Sequence, residues 1–159
     1  MEEIITKNEE ELKILHLQLL DYEVYQCREN LRFYGIREDR EEDTKEVLYN
    51  FLENDLGISS ARKIEIQRVH RTGRRPNNGK PRGIIARFLR YSDREDIFAR
   101  RSALSRESDF GIGPDLPKQV VDMRKKLIPK MIEARKRDKR AAFSRSQPYI
   151  LFVDGEKFS

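Results

Sequence analysis

The chain has 159 residues, of which 38% are charged and 37% hydrophobic, and its formal net charge is +5. This composition predicts a thin core in one or two small domains with a heavily solvated surface. No apolar run is long enough to cross a bilayer, the acidic start MEEIITKNEE is unlike a signal peptide, and the one cysteine, Cys27, excludes an internal disulfide framework. We expect a soluble intracellular protein.

The first predicted element is a helix in residues 1–29, a segment without Pro or Gly. Alternating spacings of three and four, the a/d pattern of a coiled coil, connect Ile5, Asn8, Leu12, Leu15, Leu19, Tyr22 and Gln26. The residues predicted to carry self-association are Leu12, Leu15, Leu19 and Tyr22. Other apolar residues lie off this seam, so an amphipathic helix packed on its own domain is the alternative. The seam residues do not decide between two and three helices.

Residues 30–113 follow the order β-α-β-β-α-β, the split βαβ plan of an α+β domain. The predicted strands are Asn30–Ile36, Ile64–Arg71, Gly83–Leu89 and Phe110–Ile112. The first helix is predicted to begin with a capping box of Asp43 and Glu46, and the second with a capping box of Ser92 and Glu95.

The second and third strands and the loop between them concentrate the positive charge. Residues 61–90 contain ten Lys or Arg and one acid, Glu65, which is a net charge of +9. Such a patch on an ordered hairpin attracts phosphate backbones, so it predicts nucleic acid as the partner, and a solvated loop without a partner is the alternative. The candidate binding residues on this hairpin are Arg68, Arg71, Arg74, Arg75, Lys80, Arg82 and Arg87.

The first strand adds two outward-facing candidates, Arg32 and Tyr34, because side chains alternate between the faces of a strand. Tyr34 is the one aromatic residue on this face on which a base could stack. We therefore expect binding to rest on phosphate contacts and Arg stacking, with little sequence preference.

Residues 114–159 form a second basic segment, with twelve Lys or Arg and six acids. A helix is predicted from residue 115 to about Lys139, kinked at Pro129 and followed by a hairpin. Because one helix and a hairpin are too small to fold alone, this piece must dock on another part of the protein. Arg124 and Arg135 lie at the edge of the apolar row of this helix. Their guanidinium groups would reach outward there, which makes both residues candidates for nucleic-acid contacts.

The sequence offers little for catalysis or for a cofactor. The acidic run over residues 38–43 has no His partner and leads into a helix, so we interpret it as a solvated loop. His16, His70 and Cys27 lack the spacing of zinc ligands, and no Ser/His/Asp or Cys/His arrangement stands out. We predict a protein that is not an enzyme, with no cofactor and no metal.

Several motifs together resemble a known family. They are, in order, ENLRFYGI after a heptad helix, IQRVHRTG, PRGIIARFLRY, DLP before a basic helix, and YILFVDGEKF. Over nearly all of residues 12–159 the chain resembles the first-open-reading-frame protein of LINE-type non-LTR retrotransposons, the Transposase 22 family. The resemblance implies a coiled coil that forms a homotrimer (1–29), an RRM-like domain (30–113) and a small basic C-terminal domain (114–159).

The resemblance also implies a function. Members of the family bind single-stranded RNA and DNA, coat the RNA of their own element and act as nucleic-acid chaperones. This implies ribonucleoprotein particles in the cytoplasm, and in the nucleus as a second location. The family's binding positions fall on Arg32, Arg71, Arg74, Arg75, Arg87 and Arg124. The chain departs from the family at 146–148, where Ser-Gln-Pro stands in place of a frequent Tyr-Pro step, and in its short heptad region.

The leading prediction is a self-associating protein that binds single-stranded RNA. Its Lys and Arg side chains would bind phosphates between the RRM-like sheet and the basic helix. The alternative is a protein-interaction adaptor with an RRM-like domain and a dimerising helix. An adaptor would not need a charge of +9 in its hairpin, so the basic loop distinguishes the two.

Overall fold

A computed structural model describes all residues, 1–159, and contains four α-helices and seven β-strands. The helices are α1 (Glu2–Gln26), α2 (Thr44–Asn54), α3 (Tyr91–Ala99) and α4 (Lys118–Lys136). The strands are β1 (Asn30–Tyr34), β2 (Ile66–Arg71), β3 (Ile84–Phe88), β4 (Gly111–Pro114), β5 (Ala141–Phe143), β6 (Leu151–Val153) and β7 (Glu156–Phe158). Two short 3₁₀ helices span Ala61–Lys63 and Arg100–Ala103.

One unit of the chain, Arg28–Asp115, contains a four-stranded antiparallel sheet in the order β2-β3-β1-β4. The buried side chains of β1 and β3 alternate with outward ones, which is why one sheet face carries a core and the other does not. Helices α2 and α3 supply Leu48, Leu52 and Ile97 to the core on the buried face. The predicted α+β class and β-α-β-β-α-β order are confirmed, and the strand order is that of an RRM-like sheet.

The two predicted capping boxes have different outcomes. Asp43 caps α2, because its Oδ1 accepts hydrogen bonds from the backbone N–H groups of Lys45 at 3.1 Å and Glu46 at 3.3 Å. The box of Ser92 and Glu95 is wrong. The backbone N–H of Leu89 donates to the carbonyl oxygen of Glu65, which directly precedes β2. Helix α3 begins only two residues after Leu89, at Tyr91, so Ser92 already lies inside the helix.

The first unit extends two residues beyond the predicted boundary at residue 113. Strand β4 continues to Pro114, which pairs with Leu31, and the unit ends at Asp115. Residues 1–27 and 116–159, which we treat as separate segments in the sequence, group together as the second unit. The C-terminal segment therefore has the docking partner that its small size requires.

In this second unit, α1 packs on the C-terminal segment near its own C-terminal end. Leu20 of α1 is buried with Val120 of α4 and with Tyr149 and Ile150. The Tyr149 hydroxyl donates a hydrogen bond of 2.6 Å to the Asp21 carboxylate. Burial, and then the neighbouring carboxylate, raise the pKa of Tyr149 to about 12.

The rest of the second unit is a small sheet against α4. Strands β5, β6 and β7 form this sheet, so the predicted hairpin gains a third strand. Residues 154 and 155, both with positive φ, form the tight turn from β6 to β7. Leu151 and Val153 of the sheet pack on Ala134 of α4.

Gly35, directly after β1, provides a test of the first unit. Its φ is +81°, and a Cβ at this position would lie 2.2 Å from the backbone carbonyl oxygen of Asp109. Gly35→Ala is therefore expected to lower the free energy of unfolding by about 3 kcal/mol or more, from left-handed strain plus the clash. Urea denaturation followed by circular dichroism would measure this change.

Gly57 is the matched control, since its φ is +72° and a Cβ there would meet no atom within 4 Å. Gly57→Ala is expected to cost only the strain of about 1 kcal/mol. Equal losses for the two variants would contradict the close approach of residues 35 and 109.

Candidate nucleic-acid interface

The outer face of the four-stranded sheet carries two of the predicted binding residues, Arg32 and Tyr34. Tyr34 is 46% exposed. Its cross-strand neighbour on β4 is Gly111, and Gly83 lies on its other side. A Cβ added at Gly83 would lie 3.3 Å from the Tyr34 ring, and one at Gly111 would lie 3.6 Å from it. Glycine at both positions leaves room for the ring on this face, and the exposed ring could stack a base.

The guanidinium groups on the same face are paired with acids of the chain. Arg32 Nε donates to Asp115 Oδ1 at 2.8 Å, and Asn30 Nδ2 donates to the other oxygen of this carboxylate at 2.9 Å. Arg87 donates through Nε to Gln67 at 3.1 Å, and its Nη2 lies 3.9 Å from Glu29. The two central strands therefore carry arginines whose positive charge is already partly compensated by acidic residues of the chain.

Several basic side chains at the edge of the sheet and in the loop between β2 and β3 are not paired in this way. The side chains of Arg68, Arg74 and Lys80 are exposed and form no ion pair and no hydrogen bond. Arg75 makes one long contact, 3.7 Å from Nε to Glu38 Oε1. Unpaired cations of this kind can move to meet phosphates at little cost, because no internal partner has to be given up.

Arg71 is part of the framework of the loop. Its side chain is 4% exposed, and Nε and Nη2 donate to the two carboxylate oxygens of Glu42 at 2.8 and 3.1 Å. Its Nη1 donates to the carbonyl oxygens of Ile36 and Arg82, and its Nη2 also donates to that of Arg37. All five N–H donors of the guanidinium are therefore used inside the chain. In this structure Arg71 therefore has no free donor for the phosphate contact that the sequence predicts.

Arg82 has a similar internal role. Its backbone N–H, Nε and Nη2 all donate to the Glu38 carboxylate, and Nη1 donates to the carbonyl oxygen of Gly73. The hydrogen bond from the Arg82 side chain is the main cause that lowers the pKa of Glu38 below its usual value. The interpretation of residues 38–43 as a solvated loop is therefore wrong for Glu38 and Glu42, which are nearly buried.

The second unit holds the other two predicted binding residues. The Arg124 guanidinium lies over the Phe143 ring, 4.3 Å from the centroid, without an ion pair or hydrogen bond, and burial lowers the pKa of Arg124. Arg135 instead donates through Nε and Nη2 to the carbonyl oxygen of Ala141, at 3.1 and 2.9 Å. Arg135 thus ties the end of α4 to β5, whereas Arg124 keeps its donors for an external acceptor.

The predicted self-association residues of α1 are all exposed. Leu12, Leu15, Leu19 and Tyr22 have between 56% and 64% of their surface accessible. The neighbouring Leu20, off the predicted seam, is the buried residue of the helix.

The sequence did not predict which acidic residues form ion pairs with the arginines of the sheet and the loop. Asp115 lies in the Asp-Leu-Pro segment that precedes α4, and nothing local indicates its pairing with Arg32, 83 residues away in sequence. The excess of acids near residues 38–42 and of bases near 71–82 is a signal that could have suggested Glu38 and Glu42 as partners.

No protein-family model matches the sequence, and no curated protein matches it either. The resemblance to the Transposase 22 family therefore stays a prediction. None of the helices has the length and apolar character that crossing a membrane requires. No group of three or more His, Cys, Asp or Glu side chains is arranged to hold a metal ion.

The unbonded donors of Arg124 lead to a test. We expect Arg124→Ala to weaken binding of a labelled single-stranded oligonucleotide by about three- to tenfold, because Arg can both bond phosphate and stack on bases. Lys126→Ala is the matched control, since it removes one exposed charge from the same helix and should have a smaller effect. Fluorescence anisotropy would measure the affinities, and thermal unfolding would verify the fold. Equal weakening by the two variants would contradict a specific role for Arg124.

Proposed function

We propose that the chain is a non-enzymatic, sequence-tolerant protein that binds single-stranded RNA, and also single-stranded DNA. The observation that carries this proposal is a set of basic side chains without an ion pair, beside a sheet face with an exposed Tyr34. These side chains are Arg68, Arg74 and Lys80. Long, mobile cations contact phosphates irrespective of sequence, and one aromatic ring stacks any base.

The geometry revises which residues are proposed to bind. The proposed contacts in the first unit are Tyr34, Arg68, Arg74, Arg75 and Lys80, with Arg32 and Arg87 as sites where a phosphate would compete with an internal acid. Arg124 is the proposed contact of the second unit. Arg71, Arg82 and Arg135 hold backbone or buried carboxylate groups, so we propose that they shape the protein and do not contact the nucleic acid.

Self-association is the second part of the proposal. Leu12, Leu15, Leu19 and Tyr22 expose apolar surface at the spacing of a coiled-coil seam, and a second or third copy of α1 would cover it. Together with the resemblance, this supports a homotrimer that coats RNA in ribonucleoprotein particles of the cytoplasm, with a further nuclear pool, and acts as a nucleic-acid chaperone. In the competing adaptor hypothesis the exposed seam would dimerise and the basic loop would have no nucleic-acid role.

A salt titration of binding tests the nucleic-acid part. For single strands, the logarithm of affinity is expected to fall by about 0.7 per neutralised phosphate for each tenfold rise in salt. Arg74→Ala with Arg75→Ala should weaken binding to all oligonucleotide sequences about equally. It should also make the slope shallower by up to about 1.4, since two contacts are lost.

Arg100→Ala with Arg106→Ala is the matched control, because it removes the same charge from exposed residues outside the loop that form no ion pair. If the unaltered protein did not bind oligonucleotides at low salt, the adaptor hypothesis would be favoured. If the two double variants behaved alike, the loop would have no specific part in binding.

Assembly is tested separately. Leu15→Asp with Leu19→Asp would bury charge in the seam and is expected to give monomers by multi-angle light scattering at tens of micromolar protein. Ile14→Asp with Leu17→Asp makes the same chemical change at exposed positions of α1 off the seam, and should leave the oligomer intact. A monomeric unaltered protein would remove the coiled coil from the proposal.

A further inference from the structure

Asp115 binds two donor side chains on the outer face of the four-stranded sheet. It follows β4 directly and is the last residue of the first unit. Its two carboxylate oxygens accept one hydrogen bond each, from Arg32 Nε at 2.8 Å and from Asn30 Nδ2 at 2.9 Å. The side chain is only 11% exposed, so this contact is well shielded from solvent.

Arg32 and Asn30 project from the same face of the central strand β1, two residues apart. A guanidinium and an amide in this arrangement present donors to two oxygens that share one negative charge. The two non-bridging oxygens of a phosphodiester have the same charge and the same acceptor character as the two oxygens of a carboxylate. Asp115 thus fills a cradle whose chemistry also suits a phosphodiester.

We propose that Asp115 is an internal competitor of the nucleic acid: its carboxylate occupies the donors of Arg32 and Asn30 until a phosphodiester of a bound single strand displaces it. This inference rests on the proposed function and adds a regulator of affinity at that site. The competitor is part of the chain, so it is always present at high local concentration. It therefore lowers the affinity of the sheet face for a phosphodiester, without affecting the unpaired Arg and Lys side chains of the loop.

The competition has a distinct effect on salt dependence. When a strand binds the loop, phosphates replace counterions and nothing internal is released. When a phosphate binds Arg32, the displaced Asp115 carboxylate takes up a cation from solution, which offsets the release of one cation from the nucleic acid. Removing the charge of Asp115 should therefore tighten binding and also steepen the salt slope.

Asp115→Asn is the variant that tests this proposal. The Asn30 Oδ1 atom is buried and has no hydrogen-bond partner. After rotation of the Asn30 amide, this oxygen can accept a hydrogen bond from the amide of the new residue, while the carbonyl oxygen of that residue still accepts from Arg32. The variant should therefore keep its fold while it loses the competing charge.

Binding would be measured with a labelled oligouridine of about 20 nucleotides, longer than the ~4–16 nucleotides that one single-strand-binding fold covers. Asp115→Asn is expected to tighten binding about three- to tenfold and to steepen the salt slope by up to about 0.7. Asp96→Asn removes the same charge from an exposed residue of α3 that forms no ion pair, and should change affinity less than about twofold. In an Arg32→Ala background, Asp115→Asn should behave like Asp96→Asn.

Three results would decide between the hypotheses. If the unaltered protein binds oligouridine but Asp115→Asn and Asp96→Asn have equal affinities and slopes, the competition is overturned while the proposed function stands. If the unaltered protein does not bind at all, the proposed function fails and the competition fails with it. If Asp115→Asn does not fold, the Arg32 Hε signal of the unaltered protein can be followed by NMR. That signal should move when oligouridine replaces the carboxylate, and an unchanged signal at saturation would overturn the proposal.

Discussion

The buried ion pair of Arg71 and Glu42 holds together the part of the protein on which the candidate interface depends. One guanidinium connects the segment after β1, the residue before the cap of α2, and the end of the basic loop next to β3. Removing one partner of a buried pair typically costs about 3–5 kcal/mol, since the other charge is left unpaired in a poorly solvated place. This ion pair therefore sets the geometry of the loop base, from which the exposed Arg and Lys side chains of the loop project.

This pairing separates the arginines by role in a way that net charge does not. Arg71 and Arg82 contribute to the +9 of residues 61–90, yet acids outside this segment neutralise them. The unpaired positive charge of this segment is smaller than its net charge indicates, and it lies mainly on Lys63, Arg68, Arg74, Arg75 and Lys80. A modest number of free cations would favour nucleic-acid binding that is strong at low salt and readily reversed at higher salt.

The fold could be predicted much further from the sequence than the interface. Alternation in residues 30–34 and 84–88, the Asp43 cap and the Asp-Gly turn at 154–155 are local signals, and each corresponds to an observed feature. The pairings that decide which arginines are free are long-range: Glu42 and Arg71 are 29 residues apart, and Arg32 and Asp115 are 83 apart. No local pattern encodes the partner of Arg32, and the only sequence signal for the pairing of Arg71 with Glu42 is the opposite charge excess of the two segments. The predicted capping box at Ser92 is wrong for a related reason. The start of α3 depends on the hydrogen bond between Leu89 and Glu65, which lie far apart in sequence.

Two of the off-seam apolar residues that make the heptad pattern of α1 imperfect, Leu20 and Val24, have a physical explanation in the second unit. With the seam at the a and d positions, Leu20, Asp21 and Val24 fall on the opposite side of the helix, because each residue advances by about 100°. That side contacts Val120, Tyr149 and Ile150 of the C-terminal segment, while the seam stays exposed. Packing of the segment on α1 and self-association through the seam are therefore compatible. If several copies of α1 associate, each brings its own C-terminal segment and its own Arg124 into one assembly. Individually weak phosphate contacts then act along one strand at high effective concentration, so assembly would raise the affinity without any new contact in a single chain.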